Sequence, residues 1–167
     1  MDIRTPITDD VIRRMKVGDM ITITGKIYCG RDAVLPKIVN LAERNELTRM
    51  GIDLTGSVIF HTAVSAAGVG PTSSNKLEIE ESIVPLSAAG VKLHLGKGAI
   101  RPETAEALRK YNAVYAVIPP VTALLNSKTA DKRVIAFAEL GMEAFHILTV
   151  IEYPAIIAAA HGETMYG

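Results

Sequence analysis

Apolar positions along the chain switch between a period of two and a period near 3.6, and the switches mark out its elements. Thr5-Pro6 and Thr8-Asp9-Asp10 are turn and cap signals that predict a short helix over Val11 to Met15. Val17-Gly18-Asp19 then turns the chain into Met20-Ile21-Thr22-Ile23-Thr24-Gly25-Lys26-Ile27-Tyr28, whose alternation predicts a strand with a bulge at Gly25. Cys29-Gly30-Arg31-Asp32 ends this strand. Apolar spacing through Ala33, Ile38, Leu41 and Ala42 predicts a helix to about Leu47, capped by Asp32, with Pro36 in its first turn.

Ser57 to Thr62 reads as a buried strand that runs into Gly68-Val69-Gly70-Pro71-Thr72-Ser73-Ser74-Asn75-Lys76. Leu77 to Ala89 has helical spacing that Pro85 is expected to shorten or kink. Gly90 to Leu95 is a further strand, ending in Gly96-Lys97-Gly98. Arg101-Pro102-Glu103-Thr104 opens a helix to Tyr111, and Pro119-Pro120 stops an apolar strand over Ala113 to Ile118. A short helix is read over Val121 to Leu125, and Arg133 to Glu139, Ala144 to Tyr153 and Ala155 to Ala160 give three closing strands. Strands that alternate with helices and then follow one another predict an α/β fold with a mixed sheet, in a single domain over 1–167.

Composition narrows the function classes. Hydrophobic residues make up 49% of the 167, enough for one well-supplied core. With 18 basic and 18 acidic residues the net charge is zero, so no global field draws in nucleic acid or an anionic membrane, and anion specificity must be local. Abundant Ala, Val and Ile at neutral charge also fit a chain that hides part of its surface against a partner. A single cysteine, Cys29, and no opening signal pattern predict a cytoplasmic chain without a disulfide. One cysteine cannot hold an iron–sulfur cluster, and His61, His94, His146 and His161 lack ligand spacing; a participating metal would come from another chain.

Three strand ends carry the candidate chemistry. The glycines and Pro71 shape a corner before a helix whose free amides, with Lys76 in the first turn, suit a carboxylate or phosphate. A nucleotide-binding P-loop is disfavoured, because Asn75 and Leu77 flank Lys76 where that motif needs Gly and Ser or Thr. Arg31 stands at a strand-to-helix junction and Lys97 between two glycines. If these ends converge, three cations and the Thr72 hydroxyl suit a small dianion. No general base stands out locally, and His61 and His94, on apolar strands, read as structural histidines.

The ordered set Thr5-Pro6, Val17-Gly18-Asp19, Cys29-Gly30-Arg31-Asp32, Gly70-Pro71-Thr72-Ser73-Ser74, Gly90-Val91-Lys92-Leu93, Gly96-Lys97-Gly98 and Glu139-Leu140-Gly141-Met142-Glu143-Ala144 resembles the β subunit of the iron–sulfur-dependent class I fumarases and L(+)-tartrate dehydratases. The resemblance covers nearly the whole chain. It implies a swivelling β/β/α domain with a mixed central sheet flanked by helices, equivalent to the C-terminal domain of single-chain members. It also implies a larger α subunit that holds a [4Fe-4S] cluster with one iron open to substrate, and an active site between the subunits. A homodimer is left open for the chain without that partner.

Carried over by motif, Arg31 and Lys97 bind substrate carboxylates, with Lys97 also serving catalysis. Thr72 takes part in proton transfer, with Ser73 beside it. Lys76 stands where the family usually has a carboxylate-binding arginine; lysine keeps the charge and loses the bidentate fork. Leu35 falls near a family histidine. The implied reaction is reversible hydration of fumarate, with loss of water from L(+)-tartrate as the alternative. A non-catalytic dicarboxylate-binding or assembly module is the competing reading, supported by Lys76 and Leu35.

Overall fold

The computed structural model describes residues 1–65, 68–69, 76–119 and 122–165. Along the chain these form β1 (Asp2–Arg4), α1 (Asp9–Arg14), β2 (Met20–Gly30), α2 (Leu35–Glu43), β3 (Val58–His61), β4 (Val64–Ser65), β5 (Gly68–Val69) and α3 (Lys76–Ala88). They continue as β6 (Leu93–Gly96), α4 (Pro102–Lys110), β7 (Val114–Val117), α5 (Thr122–Ser127), β8 (Thr129–Ala136), β9 (Phe145–Ala160) and β10 (Glu163–Thr164). The expected mixed α/β architecture is present. The sheet is not open, however: β2, β3, β6 and β7 pair in parallel in that order, and β9 pairs antiparallel with both β7 and β2, which closes a five-stranded ring.

Alternation along the strands explains the two layers. Ile23, Ile27, Cys29, Val58, Phe60, Leu93, Leu95, Val114, Ala116, Leu148, Val150 and Ile157 belong to one buried cluster inside the ring. Ile59 packs instead with Val34, Leu35, Ile38 and Leu86, and Tyr115 packs with Ile83, Ala105 and Leu108, so the intervening positions of these strands meet the helices outside. Leu35, the departure from the family pattern, is therefore a core residue beneath α2, only 1% exposed. At the seam between the start of β2 and the middle of β9, Met1, Met20 and Ile156 leave apolar side chains at the surface.

Several expected boundaries move, each for a physical reason. Thr8 caps α1 as anticipated, its side chain accepting from Val11 N, and the bulge in β2 falls where Gly25 adopts φ +129. Asp32 does not cap α2: that helix starts at Leu35, after a turn in which Arg31 O accepts from Val34 N and Leu35 N. It ends at Glu43, and the residues before Leu47 turn through Asn45 in the left-handed region. Pro85 does not interrupt α3, which runs through it to Ala88. The three predicted closing strands become two. β8 begins at Thr129, and the last two predictions merge into the sixteen residues of β9.

β9 stays continuous because its irregularity is absorbed by the bulge opposite. Glu152 takes φ +52, and its N–H donates to Thr24 Oγ1 at 2.9 Å, while Ile151 N donates to Lys128 O at 2.8 Å. Ring closure thus supplies partners that the local sequence, with Pro154, does not advertise.

The helices are tied to one another by a buried carboxylate. Glu80 of α3 is 7% exposed and accepts through Oε1 from Arg101 N at 2.7 Å and Thr104 Oγ1 at 2.8 Å. These are donors at the start of α4, so a side chain from the neighbouring helix does the capping. Glu80→Ala should leave both donors unsatisfied and cost about 1–3 kcal/mol. The expected result is a lower urea midpoint with an unchanged denaturant slope.

Candidate functional site

Register sets the geometry of the site. Gly30 of β2 pairs with His61 of β3, Phe60 pairs with Leu95 of β6, and Gly96 pairs with Val117 of β7. Gly30, His61, Gly96 and Val117 therefore form one row across four parallel strands, and the next residues, Arg31, Thr62, Lys97 and Ile118, leave the strands along one rim. Arg31 and Lys97 are two strands apart, about 10 Å between backbones at the usual strand spacing. This is the carboxyl edge of the parallel strands, where α/β folds gather ligands. Thr72 and Ser73 lie outside the described residues. Lys76 opens α3, one turn before Glu80, and its side chain lies outside the described set.

Each rim cation follows a glycine at which a Cβ would force neighbouring side chains to shift. A Cβ on Gly30 would lie 2.7 Å from Val34 Cγ1 and 3.2 Å from both Leu35 Cδ2 and Phe145 Cδ1, so the start of α2 and β9 close over the chain just before Arg31. A Cβ on Gly96 would lie 2.9 Å from the Tyr115 hydroxyl, and that hydroxyl donates to Gly98 O at 2.9 Å. Gly98 sits at φ +84, so Tyr115 pins a tight turn with the exposed Lys97 at its tip. Glu80 holds the other end of the same loop through Arg101. It also links the opening of α3 to the segment that carries Lys97.

Arg31 meets an acid that sequence reading left without a role. The turn Ala138–Glu143 enters β9 beside the end of β2, since Cys29 pairs with His146, and it brings Glu143 Oε1 to 3.2 Å from Arg31 Nε. The two residues are distant in sequence, and their only common signal is that both belong to segments quoted for the family resemblance.

Behind the rim, on the helix side of the wall, His61 and His94 are both buried. His61 Nε2 and His94 Nδ1 are 2.9 Å apart, His94 Nε2 is 2.8 Å from Ser87 Oγ, and Ser87 Oγ donates to Ile83 O at 2.8 Å. One hydrogen per hydroxyl fixes the direction of this chain. Ser87 has given its hydrogen to Ile83 O, so it accepts from His94 Nε2–H; bare His94 Nδ1 then accepts from His61 Nε2–H. His61 Nδ1 is left as a buried acceptor with no hydrogen-bond partner among the described residues. Both rings are neutral, because burial holds His61 down to about 3 and His94 well below its ordinary value.

Cys29 is fully buried inside the ring, its thiol donating to Thr62 O at 3.4 Å, and burial pushes its pKa up. It is a small core residue, with neither the exposure nor the thiolate character of a cluster ligand or nucleophile. Among the described residues no group of three or more His, Cys, Asp or Glu could hold a metal ion, and no helix is long and apolar enough to cross a membrane.

The neutral histidine pair has a pH signature. Both folded pKa values lie below the ordinary 6.5, so the unfolded chain takes up protons that the folded chain refuses. Stability is fully present above 6.5 and falls progressively as pH drops toward about 3. Between about pH 7.5 and 5, above most carboxylate titration, urea midpoints should decline more steeply in the native sequence than in a His61→Leu/His94→Leu variant. Equal slopes would mean that the pair is not held neutral.

The chain is 30% identical over 175 residues to a protein of Methanocaldococcus jannaschii provisionally named L(+)-tartrate dehydratase subunit beta, covering 96% of this chain and 88% of the relative. It is 29% identical over 174 residues to the L(+)-tartrate dehydratase subunit beta of Escherichia coli K12, covering 96% and 84% respectively. A protein of Geobacillus stearothermophilus, provisionally named fumarate hydratase class I, is 31% identical over 125 residues, which are 68% of this chain and 22% of that longer protein. The family model described as Fumarase C-terminus matches residues 1–167, and the chain belongs to that family.

Proposed function

We propose that this chain is the β subunit of a hydro-lyase that hydrates fumarate reversibly, working with an iron–sulfur α subunit. The observation that carries the proposal is the register row from which Arg31 and Lys97 emerge two strands apart on one rim. A dicarboxylate needs two cationic contacts at a fixed separation, and strand ends on either side of β3 in a closed ring provide a rigid one. The ring and its outer helices are proposed to be the swivelling β/β/α unit. The chain's own residues do not fit a [4Fe-4S] cluster, since Cys29 is its single cysteine and is enclosed in the core, so the cluster is assigned to the α subunit.

In this proposal Arg31 grips one substrate carboxylate through its planar fork. Lys97, at the tip of the Tyr115-pinned turn, faces the negative charge that builds up when a proton leaves the carbon beside a carboxylate. Thr72 contributes a hydroxyl to that proton transfer, Ser73 lies beside it, and Lys76 adds a third positive charge from the start of α3. L(+)-tartrate is the second candidate substrate, favoured by one observation. The relatives that align over 96% of this chain are named as tartrate dehydratase β subunits, whereas the fumarate hydratase match covers 68% of it. A non-catalytic module is disfavoured by the burial of Leu35, which makes that departure a packing choice.

The test is an anaerobic assay of the chain co-expressed with its α subunit, on fumarate, L(+)-tartrate and mesaconate. Arg31→Ala and Lys97→Ala should each lower turnover on the preferred substrate by about 10²-fold or more. Thr72→Val should lower kcat more than it weakens substrate affinity. Near-native turnover in both cation variants would remove these residues from the mechanism.

A further inference from the structure

The carboxylate beside Arg31 has no part in the reaction as proposed, yet its setting is specific. Glu143 ends the turn Ala138–Glu143, and the turn reaches it through Gly141 at φ +60, ψ −121, a conformation that suits glycine and reverses the chain toward the end of β2. The side chains of Arg31 and Glu143 are only 22% and 28% exposed, with Nε and Oε1 at 3.2 Å. Glu143 Oε2 is buried and has no hydrogen-bond partner among the described residues. A carboxylate drawn out of water and left half-satisfied is costly, and here the charge of Arg31 beside it offsets part of that cost.

The geometry of the guanidinium says what that place achieves. Glu143 approaches the Nε edge, whereas the end formed by Nη1 and Nη2 is the fork that takes a carboxylate in two parallel hydrogen bonds. The contact is a close ion pair and not a hydrogen bond, so the acid holds the charge of Arg31 on this side by Coulomb attraction and leaves its planar fork to a different kind of contact. An ion pair already in place reduces the side-chain rotations that Arg31 has left to lose when substrate binds. We propose that Glu143 is a positioning residue for the dicarboxylate site, holding Arg31 at the rim so that its fork meets one substrate carboxylate. The inference rests on the reading of Arg31 as a carboxylate ligand, and the test separates the two.

The experiment uses the enzyme assembled with its α subunit and compares Glu143→Gln, Glu143→Asp, Arg31→Lys and the Glu143→Gln/Arg31→Lys pair. Glu143→Gln keeps the shape and removes the charge. It should raise KM for the dicarboxylate about tenfold, with kcat reduced far less and the melting temperature close to native. Glu143→Asp should recover part of the affinity. In the Arg31→Lys background, where the fork is already lost, Glu143→Gln should add little, so the two effects are non-additive.

If Arg31→Lys raises KM and Glu143→Gln does not, or if their effects multiply independently, the positioning role is wrong and the substrate assignment stands. If Arg31→Lys itself leaves KM unchanged, the carboxylate reading of Arg31 fails, and the role of Glu143 fails with it. Should Glu143→Gln lower the melting temperature sharply, Glu143→Asp decides: a native-like KM in the folded Glu143→Asp enzyme overturns the proposal, and an intermediate KM supports it.

Discussion

Parallel pairing in one register is the constraint from which the rest of this molecule follows. Once Gly30, His61 and Gly96 stand in a row, Arg31 and Lys97 must emerge on the same edge, because strands in a parallel set end together. A slip of one residue in β3 would reverse its inward Phe60 and outward Ile59 and put polar His61 into the ring interior. Burial of that interior therefore fixes the rim. The closing strand β9 stabilises the arrangement further, since His146 to Ile156 pair along β2 and Ile156 to Ala159 along β7.

The layer outside the ring does different work. Its apolar contacts hold α2, α3 and α4 against the wall, while its few buried polar groups set positions. Glu80 ties α3 to the loop after Lys97, and Tyr115 fastens the turn that presents that lysine. The His61–His94–Ser87 chain runs in one direction and stays uncharged, so it adds hydrogen bonds beneath the rim without adding a competing cation there. Positive charge at the rim is left to side chains that project from strand ends and loops.

Much of this was legible in the sequence where the signal is local. Thr8 before α1, the alternation and Gly25 bulge of β2, and the glycines around Lys97 depend on neighbours in the chain, and the structure places them as read. The closed ring was not legible. The sequence reads as two strands separated at Pro154, and pairing with Thr24 and Lys128, remote in sequence, makes them one. Arg31 could be singled out from its junction, but Glu143 could not be matched to it, because no periodicity connects a strand end with a turn more than a hundred residues later. The family resemblance carried the individual roles of Thr72, Ser73 and Lys76, whereas local chemistry reads their stretch only as a corner that suits a carboxylate or phosphate.

The most direct measurement of the central claim is a crystal structure of the chain assembled with its α subunit and a non-reactive dicarboxylate. The account predicts one carboxylate on the Arg31 fork and the other within reach of Lys97, both on the carboxyl rim of β2, β3 and β6. A dicarboxylate bound elsewhere, with Arg31 or Lys97 facing bulk solvent or an unrelated surface, would contradict it.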